Sequence, residues 1–248
     1  TNQVCNILGI TKPVVCGPMA WISTAPLVAA VSNAGGLGIL GVGFAPLDFA
    51  FEQIEQTKKL TTKPFGVNVI LVPEILEHVT EIVLKTHVPV VYADSVGPID
   101  SNLAQHYFKI WHKAGAKIIV KIGDVAGAKL LESAGADIIV AKGWEGGGHV
   151  SFEATTVLTP LVIDAVNVPV ISSGGIADGR GMAAAFALGA SGVELGTAFM
   201  ASEETKIHEN AKQAVIKAQD MQSVIVGTST GEPCRQIQNS LSNKLMAI

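Results

Sequence analysis

Charge and cysteine are both scarce in this chain, and each scarcity removes a class of function. Only 15% of the 248 residues are charged, with 17 Lys and Arg against 21 Asp and Glu. The cations are scattered, so the basic face that neutralises a phosphate backbone is missing and nucleic acid is not an expected partner. Three cysteines, Cys5, Cys16 and Cys234, stand far apart without paired spacing. That argues against a disulfide framework and against a zinc site, and it fits a reducing cytoplasm. No apolar run approaches the roughly 18 residues of a membrane span, and residues 1–13 lack the basic and apolar blocks of a signal peptide. A soluble cytoplasmic protein with no membrane partner and no metal is the expectation.

What the chain does have is apolar bulk, 48% of its residues, enough for an extensive core and too much for disorder. Short runs rich in Val and Ile fall at residues 13–19, 37–41, 65–71, 88–94, 117–123, 137–143, 168–174 and 192–199. Segments of helical periodicity follow them at 27–33, 48–59, 75–85, 102–113, 126–134, 156–166, 179–188 and 205–218. Several end in a small-residue stop such as Ala134-Gly135-Ala136, where glycine takes the left-handed cap. Eight β/α units without a reversed strand, in a chain close to the roughly 250 residues of a closed barrel, predict one α/β domain with the (β/α)8 TIM-barrel architecture. The barrel is expected over residues 1–219. Residues 220–248 are read as a tail with no ninth strand, a loop leading into a short helix that packs on the barrel.

In such a barrel the chemistry sits where the strands end, and here those ends are rich in glycine. Strand 1 delivers Gly17-Pro18-Met19, strand 6 Gly143-Trp-Glu-Gly-Gly147-Gly148-His149, strand 7 Ser172-Ser173-Gly174-Gly175 and strand 8 Gly196-Thr197. The last two turns occupy the place where these barrels hold a phosphate on backbone N–H groups and a helix N-terminus. The alternative is that Gly174, Gly175 and Gly196 only close tight turns. Three successive glycines before His149 are conformationally expensive and bring an imidazole to the barrel mouth, where it could exchange a proton near neutral pH. The other histidines, His78, His87, His106, His112 and His208, lie on helices or loop edges and are read as structural. Asn68, inside strand 3, needs hydrogen-bond partners, supplied either by a ligand's ring edge or by neighbouring backbone. Lys121 in strand 5 is paired if it faces the interior and solvated if it faces the helices; alternation alone leaves its direction open.

On these residues the chain resembles the FMN-dependent family of nitronate monooxygenase (2-nitropropane dioxygenase) and enoyl-acyl-carrier-protein reductase II. The stretches that carry the likeness are Gly17-Pro-Met-Ala-Trp21, Asn33-Ala-Gly-Gly-Leu-Gly38, Lys63-Pro-Phe-Gly-Val-Asn68, Glu145-Gly-Gly-Gly-His149, Ser173-Gly-Gly-Ile-Ala-Asp-Gly179 and Leu195-Gly-Thr-Ala-Phe199. Met-Ala-Trp after strand 1, Gly174-Gly-Ile-Ala-Asp-Gly179 after strand 7, and the tail Gly231-Glu-Pro-Cys-Arg235 followed by Asn239 resemble the reductase branch more closely.

The resemblance implies FMN as cofactor with NADH or NADPH as co-substrate, and a small-molecule or acyl-carrier-bound enoyl thioester as substrate. Gly17, Pro18, Met19, Asn68 and Lys121 would lie along the flavin. Gly147, Gly148, Ser173, Gly174, Gly175, Gly196 and Thr197 would surround its phosphate side, and His149 would face the substrate as the catalytic residue. The alternatives are a nitronate monooxygenase with His149 as base and a flavin-binding module without turnover. A phosphosugar or biosynthetic barrel is a further rival that shares the phosphate site but has no need of Asn68 with the glycine turn. The apolar helices are compatible with a homodimer. The chain departs from the family pattern at Asp94, in the turn 92–98, where relatives carry a glycine-rich turn without the acid. Gly146 stands where alanine is commoner, and relatives usually continue for several dozen residues beyond the point where this chain stops.

Overall fold

The structure is a computed structural model that describes residues 2–95 and 100–246. In chain order it runs α1 (Gln3–Leu8), β1 (Val14–Cys16), α2 (Ala25–Asn33), β2 (Leu37–Leu40), α3 (Leu47–Leu60), β3 (Phe65–Ile70), α4 (Pro73–Thr86) and β4 (Val90–Asp94). It continues α5 (Ser101–Lys113), β5 (Lys117–Ile122), α6 (Val125–Ala134), β6 (Ile138–Lys142), β7 (Gly148–His149), α7 (Thr155–Ile163), β8 (Val170–Ser173), α8 (Gly179–Ala187) and β9 (Gly192–Leu195). Two short helices, α9 (Thr197–Met200) and α10 (Glu209–Lys217), precede β10 (Ser223–Val226), β11 (Cys234–Ile237) and α11 (Ser240–Met246). Among the described residues no helix is long and apolar enough to cross a membrane.

The eight expected runs all form strands, and they close into a parallel barrel in the order β1, β2, β3, β4, β5, β6, β8, β9. Closure is made by β9 on β1, with Val14 opposite Val193 and Cys16 opposite Leu195. The helices follow their strands as expected. Helix caps explain several boundaries: Asp124 accepts from the Gly127 N–H to start α6, and Gly135, at φ 113°, takes the left-handed position that ends it.

Two cores result from the two faces of the strands. The outer face, with Val91, Ile118, Val120 and Ile139, packs under the helices against Trp111, Phe108 and Leu131. The inner face, with Val15, Leu37, Ile39, Tyr92, Ile119, Val140 and Ile171, fills the barrel. Helix α1, which periodicity did not reveal, adds Val4 and Leu8 to the same inner core. Its apolar residues continue the packing beyond the amino ends of the strands.

Two sequence expectations are corrected. The tail does contain strands: β10 and β11 form an antiparallel hairpin, and β11 pairs with β7, outside the barrel. The last run also stops earlier than expected, because residues 197–200 turn into α9. The part of the 92–98 turn at residues 96–98 lies outside the described residues.

Candidate active site at the barrel mouth

Strand alternation decides what the mouth contains. Side chains two apart share a face. Because Val90 and Tyr92, Ile119, Val140 and Ile171 fill the interior, the next residues on that face at the carboxyl ends are Asp94, Lys121, Lys142 and Ser173. Lys121 therefore faces inward. Its ammonium is paired with the Asp94 carboxylate at 2.5 Å, both side chains being mostly enclosed.

Below them lies a buried carboxylate that the sequence reading did not single out. Glu194, 6% exposed, accepts from the Tyr92 hydroxyl at 2.6 Å and from Ser173 Oγ at 2.7 Å. Both oxygens are thus satisfied, as a buried carboxylate requires. Burial, and then the neighbouring Glu194 and Asp94 carboxylates, push the Tyr92 hydroxyl well above its ordinary value, so the tyrosine stays a neutral donor. The signal was present in Gly-Val-Glu-Leu, an acid inside an apolar strand, the same kind of signal that marked Asn68 and Lys121.

Asn68 also faces the mouth and is 9% exposed. Among the described residues its amide nitrogen reaches only the Tyr92 and Val69 carbonyls, at 3.4 and 3.5 Å. These are long contacts, so the neighbouring-backbone reading accounts for little of its hydrogen-bonding capacity.

The glycines divide into two groups. A Cβ at Gly17 would lie 2.8 Å from Glu194 Cδ, one at Gly41 2.2 Å from the Met19 carbonyl oxygen, and one at Gly43 2.4 Å from Asn68 Oδ1. Those three admit other parts of the protein. Among the described residues beyond its chain neighbours, a Cβ at Gly148 would meet no atom within 4 Å, one at Gly147 only Thr197 Oγ1 at 3.7 Å, and one at Gly196 only Met19 Sδ at 3.7 Å. The second group lines open space. Gly174 and Gly175 have φ of 111° and 70°, and among the described residues neither N–H finds an acceptor. Asp178 itself caps the start of α8, accepting from the Arg180 and Gly181 N–H groups. An anion here would be held by the turn rather than by that helix end. The structure thus brings Gly147, Gly148, Ser173, Gly174, Gly175, Gly196 and Thr197 around one side of the mouth, with Asn68 and Lys121 facing the same mouth from β3 and β5.

The loop that carries His149 is fastened at several points. Glu145 accepts from Thr155 N and Oγ1 at 2.9 and 2.8 Å. Lys142 Nζ donates to the Gly147 carbonyl at 2.7 Å, a contact that glycine at 146 permits, since a Cβ there would lie 2.4 Å from Lys142 Cε. Arg235 of β11 donates to the Trp144 carbonyl at 3.2 and 3.1 Å and lies over the indole. Enclosure, and then the charge of Lys121, bring the Lys142 ammonium down to about 8. His149 is opposite Cys234 in the β7–β11 pair. Directly opposed residues share a face of the sheet, so the His149 and Cys234 side chains lie on the same side of it. His149 Nε2 is 3.6 Å from the Glu232 carboxylate, and both of these side chains are open to solvent.

The remaining histidines are structural or peripheral. His208 caps α10 through Nδ1, His112 bonds Asp137 at 2.9 Å, and His87 ends α4 in the left-handed conformation. His78 lies in the wall of a separate cavity beside Asn68.

Comparison with known proteins gives the same picture. The pattern described as nitronate monooxygenase matches residues 1–247. A Rhodococcus jostii (3aS,4S,5R,7aS)-5-hydroxy-7a-methyl-1-oxo-octahydro-1H-indene-4-carboxyl-CoA dehydrogenase is 37% identical over 98% of this chain and 67% of its own length. A probable nitronate monooxygenase of Staphylococcus saprophyticus is 32% identical over 99% of this chain and 81% of its own. Among solved structures, FabK from Thermotoga maritima superposes with a TM-score of 0.92 at 40% identity, covering 98% of this chain and 76% of that one. The resemblance read from the six motifs is thus matched over the length of the barrel and its tail, and the chain belongs to the nitronate monooxygenase family.

Proposed function

We propose that this chain is an FMN-dependent oxidoreductase of the enoyl-acyl-carrier-protein reductase II kind, using NADH or NADPH to reduce an enoyl thioester. The observation that carries the reading is the convergence of Asn68, Lys121 and the open glycine turns on one mouth, in a chain 40% identical to FabK. The donor set fits the cofactor. Backbone N–H groups at Gly174 and Gly175, with the hydroxyl of Thr197, suit the phosphate. A weakly bonded carboxamide and an inward ammonium suit the polar edge of a flavin ring.

When bound, FMN would supply the relay of a hydride from the nicotinamide to the β-carbon of the thioester. The protein's own part is position and proton supply. Glu194 fixes Ser173 from below through its Oε1. Lys142, Glu145 and Arg235 hold the glycine loop so that His149 stands at the rim. His149, with the Glu232 carboxylate near Nε2, can keep a proton there and pass it to the α-carbon.

The second reading is supported by the family description and the staphylococcal relative. In it His149 takes a proton from the carbon bearing the nitro group of a neutral nitroalkane, giving the nitronate that then donates its electrons; a nitronate added as such needs no base. One anaerobic titration separates the two. The purified protein should show a flavin spectrum that NADH bleaches and crotonyl thioester restores. Bleaching by a nitronate, with no response to NADH, would assign it to the second reading. A flavin band that responds to neither donor would leave a binding module, and a colourless protein would refute all three.

A further inference from the structure

We propose that the apolar cavity beside the mouth, between β3, α4 and the loop after β2, receives the hydrocarbon chain of the acyl thioester. The inference rests on the reductase reading above. The cavity measures about 400 Å³, within the range of small-molecule sites and far larger than the voids a packed interior leaves. Its floor is the outer face of β3, Val67 and Val69, and helix α4 adds Val79 and Ile82; all four are buried. Among the described residues lining it, His78 is the only ionisable one. Apart from Asn68 and His78 the side chains of the described lining are apolar, which suits methylene groups better than a charged or strongly hydrated ligand.

Two residues tie this cavity to the mouth. Gly43 and Asn68 belong to its wall, and Asn68 is one of the side chains that face the barrel mouth. Glycine at 43 leaves room for the Asn68 carboxamide, since a Cβ there would lie 2.4 Å from Oδ1 and 3.0 Å from Ile70 Cδ1. A thioester held over Asn68 thus has an apolar chamber directly beside it. Phe44, also in the wall, is 63% exposed.

The test is a binding series that needs no turnover. Saturated acyl-CoA thioesters of four, six, eight and ten carbons are titrated calorimetrically into the flavin-loaded protein. Burial of each further methylene should tighten binding about fourfold until the chamber is full. Ile75→Trp and Ala45→Phe, which add bulk to the wall, should each reduce the preference for eight carbons over four by about tenfold or more. A diazirine at the chain terminus should label residues 42–47 or 75–82. Equal affinity at all lengths would overturn the proposal, as would labelling elsewhere or an unchanged length preference in folded variants. If either variant fails to fold, the labelling site decides. Failure of the reductase reading is separate: crotonyl thioester would then leave a reduced flavin unchanged, whatever the binding series gives.

Discussion

Replacing Tyr92 by Phe isolates the buried hydroxyl–carboxylate bond beneath the mouth. Tyr92 is fully buried in the barrel interior and donates to Glu194 Oε2 at 2.6 Å. The substitution keeps the ring and its packing and removes one hydrogen bond to a charged acceptor, which contributes about 1.5–3 kcal/mol. We expect a loss of about 2 kcal/mol. With a urea dependence of about 3 kcal/mol/M for a domain of this size, the midpoint should fall by about 0.7 M. Glu194→Gln is the companion: its amide offers one acceptor oxygen where two hydroxyls need one, so it too should destabilise. The double variant should cost less than the sum by about 1 kcal/mol or more, because the two share one bond.

The pH dependence supplies a second reading of the same bond. The Tyr92 hydroxyl titrates higher in the folded protein than in the unfolded chain. Its contribution is therefore complete below the ordinary tyrosine value of 10.0 and is lost as pH rises above it. Tyr92→Phe should show a shallower loss of stability on the alkaline side. Equal urea midpoints, or no coupling in the double variant, would refute the assignment of Glu194 as the acceptor.

His149→Gln should lower turnover of the enoyl thioester by about a hundredfold or more while leaving the flavin spectrum intact, the range expected for loss of a proton donor; unchanged turnover would remove His149 from the chemistry. Lys142 gives a pH signature of opposite sign to that of Tyr92. Its folded value of about 8 lies below the ordinary 10.5, so between those limits the unfolded chain holds more protons and stability should rise with pH. Lys142→Met should flatten that rise in chemical denaturation at pH 8, 9 and 10. Thiol labelling followed by mass spectrometry should find Cys16 inert in the native protein, because burial raises it to about 12. Cys5 and Cys234, both partly exposed, should react first.

The barrel was legible because its signal is repetition: eight apolar runs with a helix after each, all of which form strands. The inward direction of Lys121 was left open by the sequence, and the structure shows why its strand points that way. The outer face of a barrel strand lies under helices, whereas the inner face leads to the open mouth at the carboxyl ends. In Lys117-Ile-Ile-Val-Lys-Ile122 the two lysines share a parity with Ile119, and the other parity is uninterrupted Ile118, Val120 and Ile122. A strand charged at both ends on one parity thus marks that parity as the interior. A related signal finds Asp94 and Lys142, each the last residue of its strand and two residues beyond an inward apolar one, Tyr92 and Val140. The tail hairpin has no equivalent signal. Ser223-Val-Ile-Val226 is four residues long, and β11 alternates neither in sequence nor in burial. What makes them strands is pairing, of β10 with β11 and of β11 with the two residues Gly148 and His149. That pairing fixes the glycine loop from outside the barrel, so the position of His149 depends on residues about eighty-five further along the chain. Local propensity carries no information about so distant a contact.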